Sequence, residues 1–167
     1  ECSALRALCV FSGTDSITKG FRAEGHGCDS LDLDARFRPT FSANVLTWDF
    51  SALPRDRYDV IWASCPCENY SIARSNALTP RVIAVADALV LRTLEIIAWF
   101  RPKAWFVENP ATSLLWRRFA WPRIFQTSYC PYGYAYRKHT TVAPNPVDFF
   151  LLDPGGRAGF CLHTVGA

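Results

Sequence analysis

The apolar run Val60-Ile61-Trp62-Ala63 stops at Ser64, and Cys65-Pro66-Cys67-Glu68-Asn69-Tyr70-Ser71 follows. A buried strand that ends this way delivers a thiol to the end of a sheet, where Cys67 could act as a nucleophile. Pro66 fixes its own φ and biases Cys65 away from helix, so the loop is stiff. The alternative is a cysteine used as a small core hydrophobe. A second apolar run, Trp105-Phe106-Val107, precedes Glu108-Asn109-Pro110. A carboxyl group there could transfer a proton, or the triplet could open a helix capped by Asn109 or Thr112. Earlier in the chain, Gly13 sits in the turn Ser12–Ser16, and Asp32 and Asp34 close another apolar run. Strand, glycine turn, helix and a strand ending in an acid form a unit that binds adenosine-containing cofactors, because ribose hydroxyls need an acceptor. Asp32 and Asp34 could equally be solvated turn carboxylates.

Positioning these groups requires a sheet. Ala4 to Phe11 reads as a first buried strand, and Ile17 to Ala23 as a helix ended by Gly25 and Gly27. Cys28 to Leu33 reads as the second strand. A short third strand is expected around Asn44-Val45-Leu46, the fourth over Val60–Ala63 and the fifth over Ala104–Val107. A long helix fits Arg81 to Phe100, with Asp87, Arg92 and Glu95 on one face and Pro102 beyond its end. Thr112 to Phe119 fits a short helix. Ile124–Cys130 and Arg137–Val142 fit a hairpin turned at Tyr132-Gly133. Strands alternate with helices to about residue 120 and then follow one another. The expected fold is therefore α/β: a doubly wound, mostly parallel sheet with an antiparallel edge hairpin. Gly13, Asp32, Cys67 and Glu108 all fall at carboxyl ends of strands, where such sheets bind ligands.

The 167 residues suggest one core, and 50% hydrophobic with 20% charged residues is a globular composition. A net charge of +3 permits a nucleic-acid partner without demanding one. The longest apolar stretch, Val82 to Phe100, carries Asp87, Arg92 and Glu95, which argues against a membrane span. Seven irregularly spaced cysteines do not form a secreted disulfide framework, so an intracellular, reducing compartment is expected. Neither Cys65 with Cys67 nor Cys161 with His163 supplies four ligands at zinc spacing, and no metal is expected. The absence of methionine and the start at Glu1 suggest a processed or excised piece of a longer chain.

Taken together, these motifs resemble the cytosine-5 DNA methyltransferases, and more closely their short phage- and virus-type members. The resemblance runs from about Leu8 to Thr141. Phe11-Ser12-Gly13-Thr14 resembles the first cofactor motif, Ser30-Leu31-Asp32-Leu33-Asp34 the ribose-binding region, and Asn44-Val45 the adenine edge. Ala63 to Ser71 resembles the catalytic cysteine motif, and Phe106 to Pro110 the Glu-Asn motif. Tyr129 to Gly133 with Arg137-Lys138-His139-Thr140 resembles the edge hairpin. The resemblance implies a Rossmann-like class I methyltransferase fold over 1–143, with 144–167 a Pro/Gly-rich tail. It implies S-adenosylmethionine as cofactor, held by Phe11, Ser12, Gly13, Thr14, Asp32, Asn44, Val45 and Leu89. Cys67 would be the nucleophile and Glu108 the proton donor, with Pro66 and Asn109 shaping the site. Ser71, Arg74, Arg137 and Lys138 would face nucleic acid, although Arg137 and Lys138 could simply be a solvated hairpin face. DNA is the implied partner, with RNA left open.

Three positions depart from the family pattern. Asp15 stands where the family usually has glycine, Cys65 where a proline is common, and Thr140 where larger members carry a second arginine near the base. Little chain remains after Thr140 for a target-recognition domain, so selectivity would come from a separate protein or domain. A second reading follows: a catalytically inactive domain of the same fold, serving as a structural or nucleic-acid-binding subunit. Trp99, Trp105, Trp116 and Trp121 read as packing residues.

Overall fold

The computed structural model describes residues 4–71, 80–128 and 139–145. Seven strands form one sheet: β1 (Arg6–Val10), β2 (Gly27–Asp32), β3 (Phe41–Ser42), β4 (Val60–Ser64), β5 (Ala104–Pro110), β6 (Phe125–Ser128) and β7 (His139–Pro144). Helices α1 (Ser16–Ala23), α2 (Ile83–Phe100) and α3 (Leu115–Arg118) connect them. The strand order is β3-β2-β1-β4-β5-β7-β6. The first five strands in that order are mutually parallel, and β7 runs antiparallel to both β5 and β6.

The period-2 alternation of the strands fills two cores. Leu8, Val10, Ile61, Ala63 and Val107 pack with Val90, Ile96 and Phe100 of α2. Ala7, Cys9, Cys28, Val60 and Phe106 form the opposite face, against Ile17 and Phe21 of α1. Helices on both faces of a largely parallel sheet make the doubly wound architecture expected from the sequence. In α2 the buried residues Ala86, Val90, Thr93, Ile97 and Phe100 recur at intervals of three and four. Val90, Ile96 and Phe100 are wholly buried, each contributing roughly 1.5–3 kcal/mol. The helix stops at Arg101, whose φ of 50° is left-handed, and Pro102 prevents its continuation. Trp99, Trp105, Trp116 and Trp121 pack against the larger core, as read from the sequence.

Several local expectations are corrected. The third strand is Phe41–Ser42, not the segment around Asn44. Asn44 instead closes a turn: its Oδ1 accepts from the Leu46 N–H at 3.0 Å, and its carbonyl accepts from Thr47 and Trp48. A side chain that bonds its own backbone this way competes with extended structure. Gly25, at φ 80°, lies beyond the end of α1, but Gly27 already belongs to β2. Glu108-Asn109-Pro110 is neither a turn nor a helix entry. All three continue β5, opposite Val142, Thr141 and Thr140 of β7, because an antiparallel partner supplies the ladder. Asp87 does not share a face with Arg92 and Glu95. Arg92 pairs with Glu95 at 2.7 Å, whereas Asp87 faces Tyr70 and Arg118. The turn at Tyr132-Gly133 and the tail from Pro146 onward lie outside the described residues.

Candidate active site

A cavity of about 300 Å³ opens at the carboxyl ends of β1, β2 and β4, lined by Phe11, Leu31, Asp32, Leu33, Ala43, Asn44, Val45, Ser64, Pro66, Glu68 and Leu89. Its walls are apolar, with a few polar groups at one side. That chemistry suits a flat heterocycle joined to a sugar. Asp32 closes one end and organises the first turn. Its Oδ2 accepts from Gly13 N–H at 2.8 Å and its Oδ1 from Asp34 N–H at 2.9 Å. Each carboxylate oxygen retains a second lone pair, so acceptor capacity for hydroxyls remains.

The turn is conformationally unusual. Phe11, Gly13 and Asp15 have φ of 58°, 49° and 64°, and only glycine adopts this region without steric cost. A Cβ on Gly13 would meet no atom within 4 Å, so its glycine serves the backbone angle and leaves open space beside the turn. Asp15 does not line the cavity. It is 9% exposed, and its Oδ1 is buried without a hydrogen-bond partner. The carboxylate is therefore largely withdrawn from solvent. Asp15→Gly is expected to stabilise the fold by about 1 kcal/mol, because it removes a strained φ and an unpaired buried oxygen at the expense of chain entropy. A melting temperature rise of roughly 2–4 °C checks this.

Arg92 supports the cavity from behind. Its guanidinium donates to the carbonyls of Val45 and Trp48 at 3.3 and 3.1 Å and lies over the Phe50 ring. It fixes the turn that carries Asn44 and Val45. One arginine within an apolar helix was the sequence signal for this brace.

The cysteine loop follows β4. Cys65 is 5% exposed beside Thr93, and burial pushes its thiol up to about 12. Cys67 is half-buried. The Cys67 carbonyl accepts from the N–H groups of Tyr70 and Ser71 at 3.0 and 2.8 Å, a helical turn begun just after Pro66. Tyr70 is wholly buried and donates its hydroxyl to Asp87 at 2.8 Å. Asp87 also takes a bidentate contact from Arg118 of α3. The Arg118 guanidinium first, and then the Tyr70 hydroxyl, hold the Asp87 carboxyl below the usual range. A depressed folded value stabilises the native state above the unfolded pKa, and the contribution is lost as pH falls through the folded value. Asp87→Asn is expected to cost about 1 kcal/mol at pH 7, since the pair is only partly shielded. The difference from the parent closes as pH falls below the ordinary aspartate value of about 3.9 and through the lower folded one, as melting curves against pH should show.

Glu108 and Asn109 stand beside this loop. Glu108 lies opposite Ser64 in the β4–β5 register and is 8% exposed. Its charge contributes to raising Cys65. Asn109 is wholly buried and donates Nδ2–H to the Cys65 carbonyl at 2.7 Å. One hydrogen bond thus ties the strand bearing the carboxyl group to the loop bearing the thiols. The Thr140 hydroxyl donates to Glu108 Oε1.

The structure brings Phe11, Asp32, Asn44, Val45, Leu89 and Pro66 to one cavity, with Gly13 bonded to its rim. Ser12 and Thr14 flank Gly13 and are not cavity walls. Ser71 lies at the end of the cysteine turn, its carbonyl accepting from Arg81 at 2.7 Å. Arg74, Arg137 and Lys138 lie outside the described residues. Sequence reasoning did not assign Leu31, Leu33, Ala43, Ser64 and Glu68 to the cavity wall, although all but Ala43 lie within its motifs. Their neighbours had been singled out, but facing a cavity is decided by pleat and loop geometry.

A doubly wound sheet with its last strand reversed, and a cavity bounded by the acid that ends β2, is the Rossmann-like methyltransferase class. Solved structures share this fold. They are a prophage-encoded protein of E. coli (12% identity, 84% of this chain and 46% of that one, TM-score 0.62), the methyltransferase EhMeth of Entamoeba histolytica (14%, 91% and 56%, TM-score 0.59) and the S. pombe Dnmt2 methyltransferase (14%, 84% and 50%, TM-score 0.56). The chain spans about half the length of these structures. No protein-family model matches the chain. A probable DNA (cytosine-5)-methyltransferase of frog virus 3 (isolate Goorha) is 34% identical over 151 residues, 81% of this chain and 68% of the relative. The chain belongs to the DNA (cytosine-5)-methyltransferase family. Among the described residues no helix is long and apolar enough to cross a membrane.

Proposed function

We propose that the chain methylates carbon 5 of cytosine in DNA from S-adenosylmethionine, through a covalent adduct on Cys67. The observation that carries this reading is the Asn109–Cys65 bond, which couples the Glu108 strand to the Cys67 loop beside the cavity. Asp32 and Asn44 would hold the nucleoside part of the cofactor, with Phe11, Val45 and Leu89 packing on it. When bound, S-adenosylmethionine supplies a methyl group on a sulfonium, which carbon 5 of neutral cytosine does not attack unaided.

The chain's own residues raise that reactivity. The Cys67 thiolate adds to carbon 6, forming a carbon–sulfur bond. Electron density moves toward ring nitrogen 3, which takes the Glu108 proton. The enamine so formed is nucleophilic at carbon 5. After methylation, a base removes the carbon 5 proton and the Cys67 sulfur leaves carbon 6. Nitrogen 3 then returns its proton to Glu108. The base must leave the duplex stack for this contact.

Calorimetric titration with S-adenosylmethionine, followed by transfer of labelled methyl to DNA and RNA oligonucleotides, tests the proposal. Saturable binding with label on carbon 5 of DNA cytosine is expected. Label on RNA alone would move the substrate class. Binding without transfer to either would favour a non-catalytic, nucleic-acid-binding role.

A further inference from the structure

We propose that Thr140 is a positioning residue for Glu108: its hydroxyl holds carboxyl oxygen Oε1 and so leaves Oε2 to meet the base. This deepens the proposed methylation and rests on it. Thr140 lies on β7 opposite Pro110 of β5 and is 2% exposed. Its hydroxyl donates to Glu108 Oε1 and lies 3.1 Å from the Asn109 carbonyl oxygen. Both partners belong to the adjacent strand. The β-branched side chain has few χ1 choices, so the hydroxyl is fixed by the antiparallel ladder and not by a mobile loop.

Proton counting makes the contact more than packing. A hydroxyl carries one hydrogen and two lone pairs, and two oxygens face it here. When Glu108 is ionised, the hydroxyl hydrogen serves Oε1 in a charge-assisted bond. When Glu108 is protonated on Oε2, Oε1 is a carbonyl oxygen and the same hydroxyl hydrogen still serves it. In either state Oε1 remains engaged, and the proton given to ring nitrogen 3 leaves from Oε2. The carboxyl group therefore keeps one orientation through the proton transfer. Such an arrangement limits the misplacement that otherwise slows a positioned acid.

The test compares the parent with Thr140→Val, Thr140→Ser and Thr140→Ala in S-adenosylmethionine binding and in the rate of covalent trapping on a 5-fluorocytosine oligonucleotide. Val is nearly isosteric and lacks the hydroxyl; Ala lacks it without demanding new contacts; Ser retains it. Trapping by Val and Ala is expected to slow by roughly 10- to 100-fold, with cofactor affinity within about twofold of the parent. Ser is expected to recover most of the rate. Parental trapping by Val or Ala, or a Ser variant as slow as Val, overturns the assignment. A parent that binds cofactor yet traps nothing overturns the methylation reading itself, and the assignment with it.

Discussion

The Cys67→Ser variant is expected to transfer no measurable methyl group and to form no adduct with 5-fluorocytosine DNA, while binding S-adenosylmethionine like the parent. A serine hydroxyl ionises far less readily than a thiol, and the reaction depends on a thiolate. The motif holds a built-in control, because two cysteines flank Pro66. Cys65 is buried beside Thr93, and burial pushes its thiol up to about 12, so it stays a neutral thiol at pH 7. Cys65→Ser is therefore expected to keep trapping, with a stability loss of about 1 kcal/mol for a polar group placed in a core site. The two single variants, assayed side by side by gel shift of the trapped complex, separate nucleophile from core residue.

Replacing Glu108 by glutamine is expected to lower the methyl-transfer rate by roughly 10²- to 10⁴-fold, the usual contribution of a positioned acid. Glutamine is isosteric and can still accept from Thr140, so the β5–β7 contact persists and the melting temperature should move little. What it cannot do is give a proton to ring nitrogen 3. The loss should appear in single-turnover rate and not in cofactor affinity, a division that isolates a transition-state interaction. A Gln variant within threefold of the parent would remove Glu108 from the chemistry.

Much of the architecture was legible because the strands are apolar runs of fixed length. Val60 to Ala63 and Ala104 to Val107 read as buried strands, and the residues after them then fall at the sheet's carboxyl edge. The Asp32 position was legible for the same reason. What it does for the protein, accepting the Gly13 and Asp34 amides, was not, because which donors reach a carboxylate depends on how turns distant in sequence meet. Asn44 reads as strand because it lies beside Val45, a strand former, yet the Asn44 side chain closes a turn. The extension of β5 through Pro110 was hidden because proline discourages a strand interior. Here the hydroxyl of Thr140 and the Asn109 carbonyl meet at that end of the ladder. Asp15 was legible as a departure from the family pattern. Its consequence depended on side-chain burial, which leaves the Oδ1 oxygen without a partner.

The most direct test is mass spectrometry of the parent protein incubated with S-adenosylmethionine and a 5-fluorocytosine oligonucleotide, followed by proteolysis. One nucleotide attached to the peptide that contains Pro66, with fragmentation placing it on the Cys67 sulfur, is the predicted result. A cofactor-bound protein that carries no adduct, or carries it on Cys65, would contradict the account.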